Sequence, residues 1–290
     1  MSLVRFIVLV FISFFIFSSC VKNNQDPSWL QVNDWALESN LALSGEEGEL
    51  TQNFSNAKVF VNDQLIGIFE TPFRIPLLLE GASNLKIFPV VINNGISATK
   101  KVYPFVERYE LDVTLVKNET VEVSPVTRYN SNTNFWVEDF EDINISIEND
   151  PNTSAATLQF SNVDLTASNG NYYGKVILND VDSSWVAYTT DELYIPKGVD
   201  VFLEVDYFNT NDVYQGLISV SPSGVTNNVN IRMNGQGLEE VKWKKIYIEL
   251  KELVIGSPNQ SSFKQSFIAN FDNGEMEGII CLDNIKVVWF

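Results

Sequence analysis

With 290 residues, a formal net charge of −18 and no histidine, this chain can build one large or two modest domains but few kinds of active site. The missing imidazole excludes Ser-His-Asp and Cys-His nucleophile systems and the usual zinc sites, which leaves carboxylate, lysine or tyrosine chemistry. The acidic balance repels phosphate backbones and argues against nucleic-acid partners. Divalent cations or neutral ligands such as sugars suit it better, although net charge also serves solubility alone. A hydrophobic content of 45% with 20 Phe, 10 Tyr and 6 Trp allows a sizeable core, and the abundance of Val, Ile, Phe, Tyr and Thr favours strands over helices. The expected fold class is all-β, with two β-sandwich domains after an N-terminal signal peptide.

In the first twenty residues, Arg5 supplies a positive start, Phe6 to Phe17 is almost wholly Val, Ile, Leu and Phe, and Ser18-Ser19 lead into Cys20. That is the layout of a secretory signal and is left out of fold reasoning; an ordinary signal or a short membrane anchor is the alternative. The Ser-Ser-Cys ending resembles a bacterial lipobox. The resemblance implies lipidation of Cys20, a membrane partner reached through the lipid anchor, and residence in a bacterial cell envelope, with the outer membrane as the expected location. Cys281 is then without a disulfide partner and, inside Gly278-Ile279-Ile280-Cys281-Leu282, reads as a small buried hydrophobe. No second apolar run is long enough to span a bilayer. Residues 21–28 (VKNNQDPS) are polar, are broken by Pro27 and read as a tether.

Residues 29–126 are the first expected domain. Ala57–Val61 alternates as a strand, Asn62-Asp63-Gln64 turns, and Leu65–Phe69 returns. Thr71-Pro72-Phe73 punctuates, strands are expected at Arg74–Leu79 and Leu85–Ile92, Asn93-Asn94-Gly95 turns, and Tyr109–Leu115 alternates again. The run of "VNDQLIG", "TPF" and "EGASN" between strands resembles PEGA-type and related Ig-like surface domains. Such a resemblance implies a stalk or spacer, and no site is assigned to it.

Around Pro125 to Asn134 the composition turns polar, as at a domain boundary. Residues 135–290 are the second domain, with nine strands expected from Phe135 to Phe290, a number that suits a jelly-roll sandwich. "NFWVEDFED", "YYGKVIL", "LYIPKGVDVFLEVDY", "WKKIYIEL" and the closing "LDNIKVV" resemble, in order, the galactose-binding-like jelly rolls of many carbohydrate-binding modules. That likeness implies a non-catalytic glycan binder.

Two groups of residues are candidates for chemistry. Glu138-Asp139-Phe140-Glu141-Asp142 packs four carboxylates into five residues, and mutual repulsion on a shared strand face favours a hard cation such as calcium. In jelly-roll modules of the resembled kind a structural calcium sits where first and last strands meet, which implies Glu141 and Asp283 as ligands, with Asp139 behind them. The alternative is a solvated acidic edge that blocks sheet aggregation. The second group is aromatic: Trp185, Tyr188, Tyr172 and Tyr173, with Trp136 and Tyr214, fall near expected loops and strand ends. Asp180 to Tyr188 is read as a loop in which Asp182, Trp185 and Tyr188 meet a sugar, rings stacking on its faces and polar groups fixing its hydroxyls. Against this stands the habit of β-sandwiches to use aromatics as core, where Trp243 and Phe202 are expected. No glycosidase carboxylate pattern is present, so enzymatic activity is not expected. The sequence thus predicts an envelope lipoprotein that binds polysaccharide, the alternative being a structural or assembly subunit of an outer-membrane complex that binds envelope proteins.

Overall fold

The computed structural model describes residues 25–163, 165–238, 241–272 and 276–290, which form two units built almost wholly of strands. The signal segment and Cys20 lie outside the described residues. In chain order the first unit contains β1 (Ser28–Val32), β2 (Ala36–Leu37), β3 (Asn56–Val61), β4 (Gln64–Glu70), β5 (Phe73–Leu77), β6 (Gly81–Ile92), β7 (Lys100–Val102), β8 (Tyr109–Leu115), β9 (Thr120–Val123) and β10 (Val126–Thr127). One sheet runs β4-β3-β6-β7 with β8 also on β6, and a second runs β5-β1-β9. Asn62 and Asp63 close the β3–β4 hairpin with φ of 51° and 63°, the left-handed pair that a two-residue turn between twisted strands requires. Ser28, the last residue of the expected tether, is already the first of β1 and is fully buried.

The second unit contains β11 (Asn134–Glu138), β12 (Ile147–Asn149), β13 (Gln159–Ser161), β14 (Tyr173–Leu178), β15 (Ser184–Thr189), β16 (Val201–Asn209), β17 (Val213–Ser221), β18 (Gly224–Met233), β19 (Lys244–Glu249), one short helix α1 (Lys251–Gly256), β20 (Ser262–Asn270) and β21 (Gly278–Trp289). A six-stranded sheet, β13-β14-β21-β16-β19 with β11 on β21, faces a five-stranded sheet, β12-β15-β20-β17-β18. Between them lie Trp185, Leu203, Val205, Leu217, Phe267 and Val287, among others. The all-β sandwich class read from the sequence is the class observed.

Period-2 alternation decides what happens on the far side of the six-stranded sheet. Leu203 and Val205 point into the sandwich, so Phe202 points away from it; Phe202, Tyr247 and Val288 join Leu30, Val59, Ile87, Tyr103 and Phe105 in the core of the first unit. The outer face of this sheet is therefore dry along much of its length. This explains why β16 reads Val-Phe-Leu-Glu-Val-Asp-Tyr-Phe, with apolar residues on both faces.

Charges are buried in the same seam. Glu204, with no exposed surface, accepts hydrogen bonds from the hydroxyls of Tyr103 and Tyr129 (2.8 Å for the latter) and stands 3.2 Å from Lys245 Nζ. Lys245 Nζ is also 3.4 Å from Asp206 and 3.0 Å from Thr51 Oγ1. Lys286, equally buried, donates to the carbonyls of Glu47 (2.5 Å) and Glu49. Burial alone would raise the Glu204 carboxyl, but Lys245 and Lys286 outweigh it and hold it below the ordinary range. For Lys286 burial wins, and its ammonium is lowered to about 8. The backbone joins in: Asn94 N donates to Tyr247 O (2.8 Å), and Asn53 N donates to the Tyr247 hydroxyl (3.0 Å). The polar stretch Pro125 to Asn134 is part of this seam, with Thr127, Tyr129 and Thr133 each less than 5% exposed.

Several local readings need correction. Asp180 to Tyr188 is not a loop: Ser184 onward is β15, whose alternate residues enter the core. The acidic run does not continue as a strand. The Glu138 carboxylate accepts from Phe140 N (2.8 Å) and from Ser146 N, and the chain turns at Phe140 with φ of 60°. Trp243, expected in the core, is half-buried at the surface, and Phe202 is buried in the first unit's core instead of the sandwich's.

Candidate functional site

The five predicted glycan contacts do not form one site. Trp185 is fully buried, stacked on Phe267 with ring centroids 6.0 Å apart, and its Nε1 donates to Asn149 Oδ1 (3.0 Å). No ligand reaches it. Tyr173 is likewise buried and its hydroxyl donates to Val163 O (2.5 Å). Tyr172 is exposed on the far side of β14, beside Phe160. Asp182 sits half-buried in the β14–β15 turn, its amide held by Asn179 Oδ1 (2.9 Å). Tyr188 alone lies on an open sheet face.

The expected calcium ligands are also separated in role. Asp283 is fully buried and accepts from the amides of Ser168 (2.9 Å), Asn169 (3.3 Å) and Asn284 (2.8 Å). Burial raises its carboxyl to about 7 against the pull of those amides. Glu141 accepts from the amides of Asn171 (2.6 Å) and Tyr172 (2.8 Å) and from Asn171 Nδ2 (3.0 Å), which together hold its carboxyl below the ordinary range although burial acts the other way. Asp139 accepts from Glu141 N (3.2 Å). Amide hydrogens thus occupy the oxygens a cation would need. Among the described residues no group of three or more His, Cys, Asp or Glu side chains converges. What the carboxylates do is pin the 168–172 loop. Gly170 has φ of +73° there, and a Cβ would fall 2.4 Å from the Glu141 carboxylate. Cys281, as expected, is free and buried, and burial pushes its thiol up to about 12.

The outer face of the five-stranded sheet is the surface best suited to a ligand. Val213, Leu217, Phe267 and Ala269 point into the core, so Tyr214, Gly216, Ile218, Ser266, Ile268 and Tyr188 alternate outward. The register places Tyr188 opposite Ser266 and Tyr214 opposite Ile268, with β20 between them. The two tyrosine Cα positions are thus two strands over and two residues along, about 12 Å apart by ladder geometry. Both rings are half-exposed.

Between them the floor is low. A Cβ on Gly216 would meet Ser266 Oγ at 2.8 Å and Asn227 Oδ1 at 2.9 Å. Ser266 Oγ, itself without exposed surface, donates to Asn227 Oδ1 (3.1 Å), which fixes an exposed amide above the Gly216 backbone. On the β12 side, Lys264 Nζ lies 4.9 Å from the Tyr188 ring centroid and 3.3 Å from Glu148. At the other end Arg232 pairs with Asp212. This is a flat platform with two apolar rings, one amide and a charge pair at each end. Sequence reasoning singled out Tyr188 and named Tyr214 as a candidate, but missed Gly216, Asn227, Ser266 and Lys264. The signal for Lys264 and Ser266 was the outward register of β20, which alternates Ser262-Lys264-Ser266-Ile268 against an inward Phe263-Gln265-Phe267-Ala269.

No family model matches the sequence, and no curated protein matches it. Solved structures do match. One is described as showing the promiscuous specificity of carbohydrate-binding modules from the β-sandwich superfamily, at 15% identity over 81% of this chain and 84% of that chain, TM-score 0.38. Another is the family 11 carbohydrate-binding module of a cellulosomal cellulase from Clostridium thermocellum, at 15% identity over 52% and 91% of the two chains, TM-score 0.34. A third is a module specific for non-crystalline cellulose, at 11% identity over 51% and 90%, TM-score 0.38. Nothing about this chain's ligand follows from likenesses that distant; its own residues must carry the reading.

Proposed function

We propose that this protein binds glycan without transforming it, on the outer face of the five-stranded sheet, and that a lipid on Cys20 holds it at a bacterial envelope. The supporting observation is the asymmetry of the sandwich. One outer face is buried against the first unit, whereas the other is open and carries Tyr188 and Tyr214 on either side of a low polar floor. Aromatic rings offer apolar faces to the C–H surface of a sugar. Asn227 and Lys264 supply the few directional groups that fix hydroxyls, and the buried Ser266 hydroxyl holds the Asn227 amide in place. The Lys264–Glu148 pair is partly exposed, so a ligand hydroxyl displaces it at little cost. Hydrolysis by two facing carboxylates is not the reading, because Glu148 and Asp212 are each paired with a cation.

The test is a glycan array followed by calorimetric titration of the best hit, using residues 21–290 without the lipid. Tyr214→Ala and Tyr188→Ala each lower affinity by about tenfold, whereas Trp185→Phe leaves it unchanged. Binding that is indifferent to both tyrosines overturns the site, and an array with no hit overturns the function.

A further inference from the structure

A second recess lies where the two units meet, beside the start of β19, the edge strand of its sheet. Two adjoining cavities of about 550 and 860 Å³ share Gly95, Tyr207, Lys242, Lys244 and Ile246 in their walls. The 51–53 segment and the β6–β7 turn of the first unit form one side; β19 and the 233–237 segment of the second form the other. The recess therefore exists only because the seam described above locks the units together.

Its electrostatics run against the rest of the molecule. In a chain of net charge −18, the recess is bordered by Lys242 and Lys244, both exposed and neither with an ion-pair partner among the described residues. Its one described carboxylate, Asp206, is occupied by Lys245 (3.4 Å), Ser168 Oγ (3.1 Å) and Asn284 Nδ2 (3.2 Å). Arg232, at the far rim, is neutralised by Asp212. The walls are ordered. Trp243 is half-buried, its Nε1 donating to Thr166 O (2.8 Å) and its ring set against Tyr173 and Phe208. Tyr207 pairs with Lys244 across the β16–β19 ladder, and its hydroxyl makes no hydrogen bond among the described residues.

We infer that this recess is a second binding site, for an acidic saccharide. One or two ring carboxylates would meet Lys242 and Lys244 through charge-assisted hydrogen bonds. The pyranose body would lie against Trp243 and Tyr207, and the Asn94 side-chain Nδ2 would reach its hydroxyls. The first unit is then half of a ligand site, not a spacer. The inference is independent of the open sheet face, since none of the recess residues but Arg232 lies on that face.

The experiment titrates trigalacturonate and, separately, neutral galactotriose into the 21–290 protein at two salt concentrations. Trigalacturonate binds, more weakly at high salt, and galactotriose does not bind at this site. Lys242→Glu with Lys244→Glu weakens trigalacturonate about tenfold or more, while Tyr188→Ala with Tyr214→Ala leaves it unchanged. A charge-matched control, Lys58→Glu with Lys117→Glu, also leaves it unchanged, because both lysines are outside the recess. Absence of trigalacturonate binding by the native protein overturns the inference, as does a loss of equal size in the control. Loss in the tyrosine variant assigns the acid saccharide to the open face and likewise overturns it.

Discussion

Replacing Glu204 by glutamine is the most direct probe of the seam between the units. The native carboxylate is fully buried, receives two tyrosine hydroxyls and lies 3.2 Å from Lys245. Glutamine keeps the shape and one accepting oxygen. Its amide hydrogens, however, compete with the tyrosine hydroxyls or face the Lys245 ammonium, and Lys286 loses the charge that offsets its burial. Breaking a buried ion pair by removing one partner costs about 3–5 kcal/mol, since the other charge is left uncompensated. For a protein of this size that lowers Tm by roughly 6–20 °C. Urea titration followed by tryptophan fluorescence and by far-UV circular dichroism measures it. The expected result is one coincident transition in the native protein and an earlier midpoint in the variant. A loss below about 1 kcal/mol, the scale of an exposed pair, would show that water reaches Glu204 and that the seam is not the dry contact described.

Other outcomes follow from the same geometry. Asp283 has a folded pKa of about 7 against 3.8 for the free side chain; a raised folded pKa means stability that is fully present below the unfolded pKa and lost as pH rises through the folded one. Between pH 8 and pH 5 the native protein therefore gains about 3 kcal/mol relative to Asp283→Asn; parallel stability curves would refute the assignment. Trp185→Ala costs about 3–5 kcal/mol in urea denaturation, as a large-to-small change in a packed core does, and a loss under 1 kcal/mol would place the ring outside the core. Residues 135–290 expressed alone expose Phe202, Tyr247 and Val288 and leave Lys286 without the Glu47 and Glu49 carbonyls. The fragment is expected to bind a hydrophobic dye and to unfold at lower denaturant than the whole chain; a fragment as stable as the parent would show the units to be independent.

Much of the fold was legible because turn chemistry and alternation agreed. Asn62-Asp63 between two alternating runs announces the β3–β4 hairpin, and β8 has the bounds that its alternation predicts. The seam was hidden for a physical reason. Phe202, Tyr247 and Val288 sit in strands that are apolar on both faces, and such a run looks the same whether its second face meets solvent-side loops or another domain. The polar composition of the 125–134 stretch suggests a linker, yet Tyr129 uses its hydroxyl inside the contact, on Glu204. At the candidate site, the aromatic and serine content of 180–188 suggested a loop. The alternation Trp185-Ala187-Thr189 against Ser184-Val186-Tyr188 was nonetheless present and puts only the second set outside. Composition outweighs periodicity in that stretch, which is why the sequence offers Trp185 to a ligand and passes over Gly216 and Asn227.

The measurement that bears most directly on the account is a calorimetric titration of one array-selected polysaccharide into the native protein and into Tyr188→Ala with Tyr214→Ala. The account predicts saturable binding by the native protein and a loss of about a hundredfold in the double variant, two additive tenfold steps at separated rings, with Tm nearly unchanged because both rings are half-exposed. Equal affinity in the two proteins would remove the glycan site from the open sheet face.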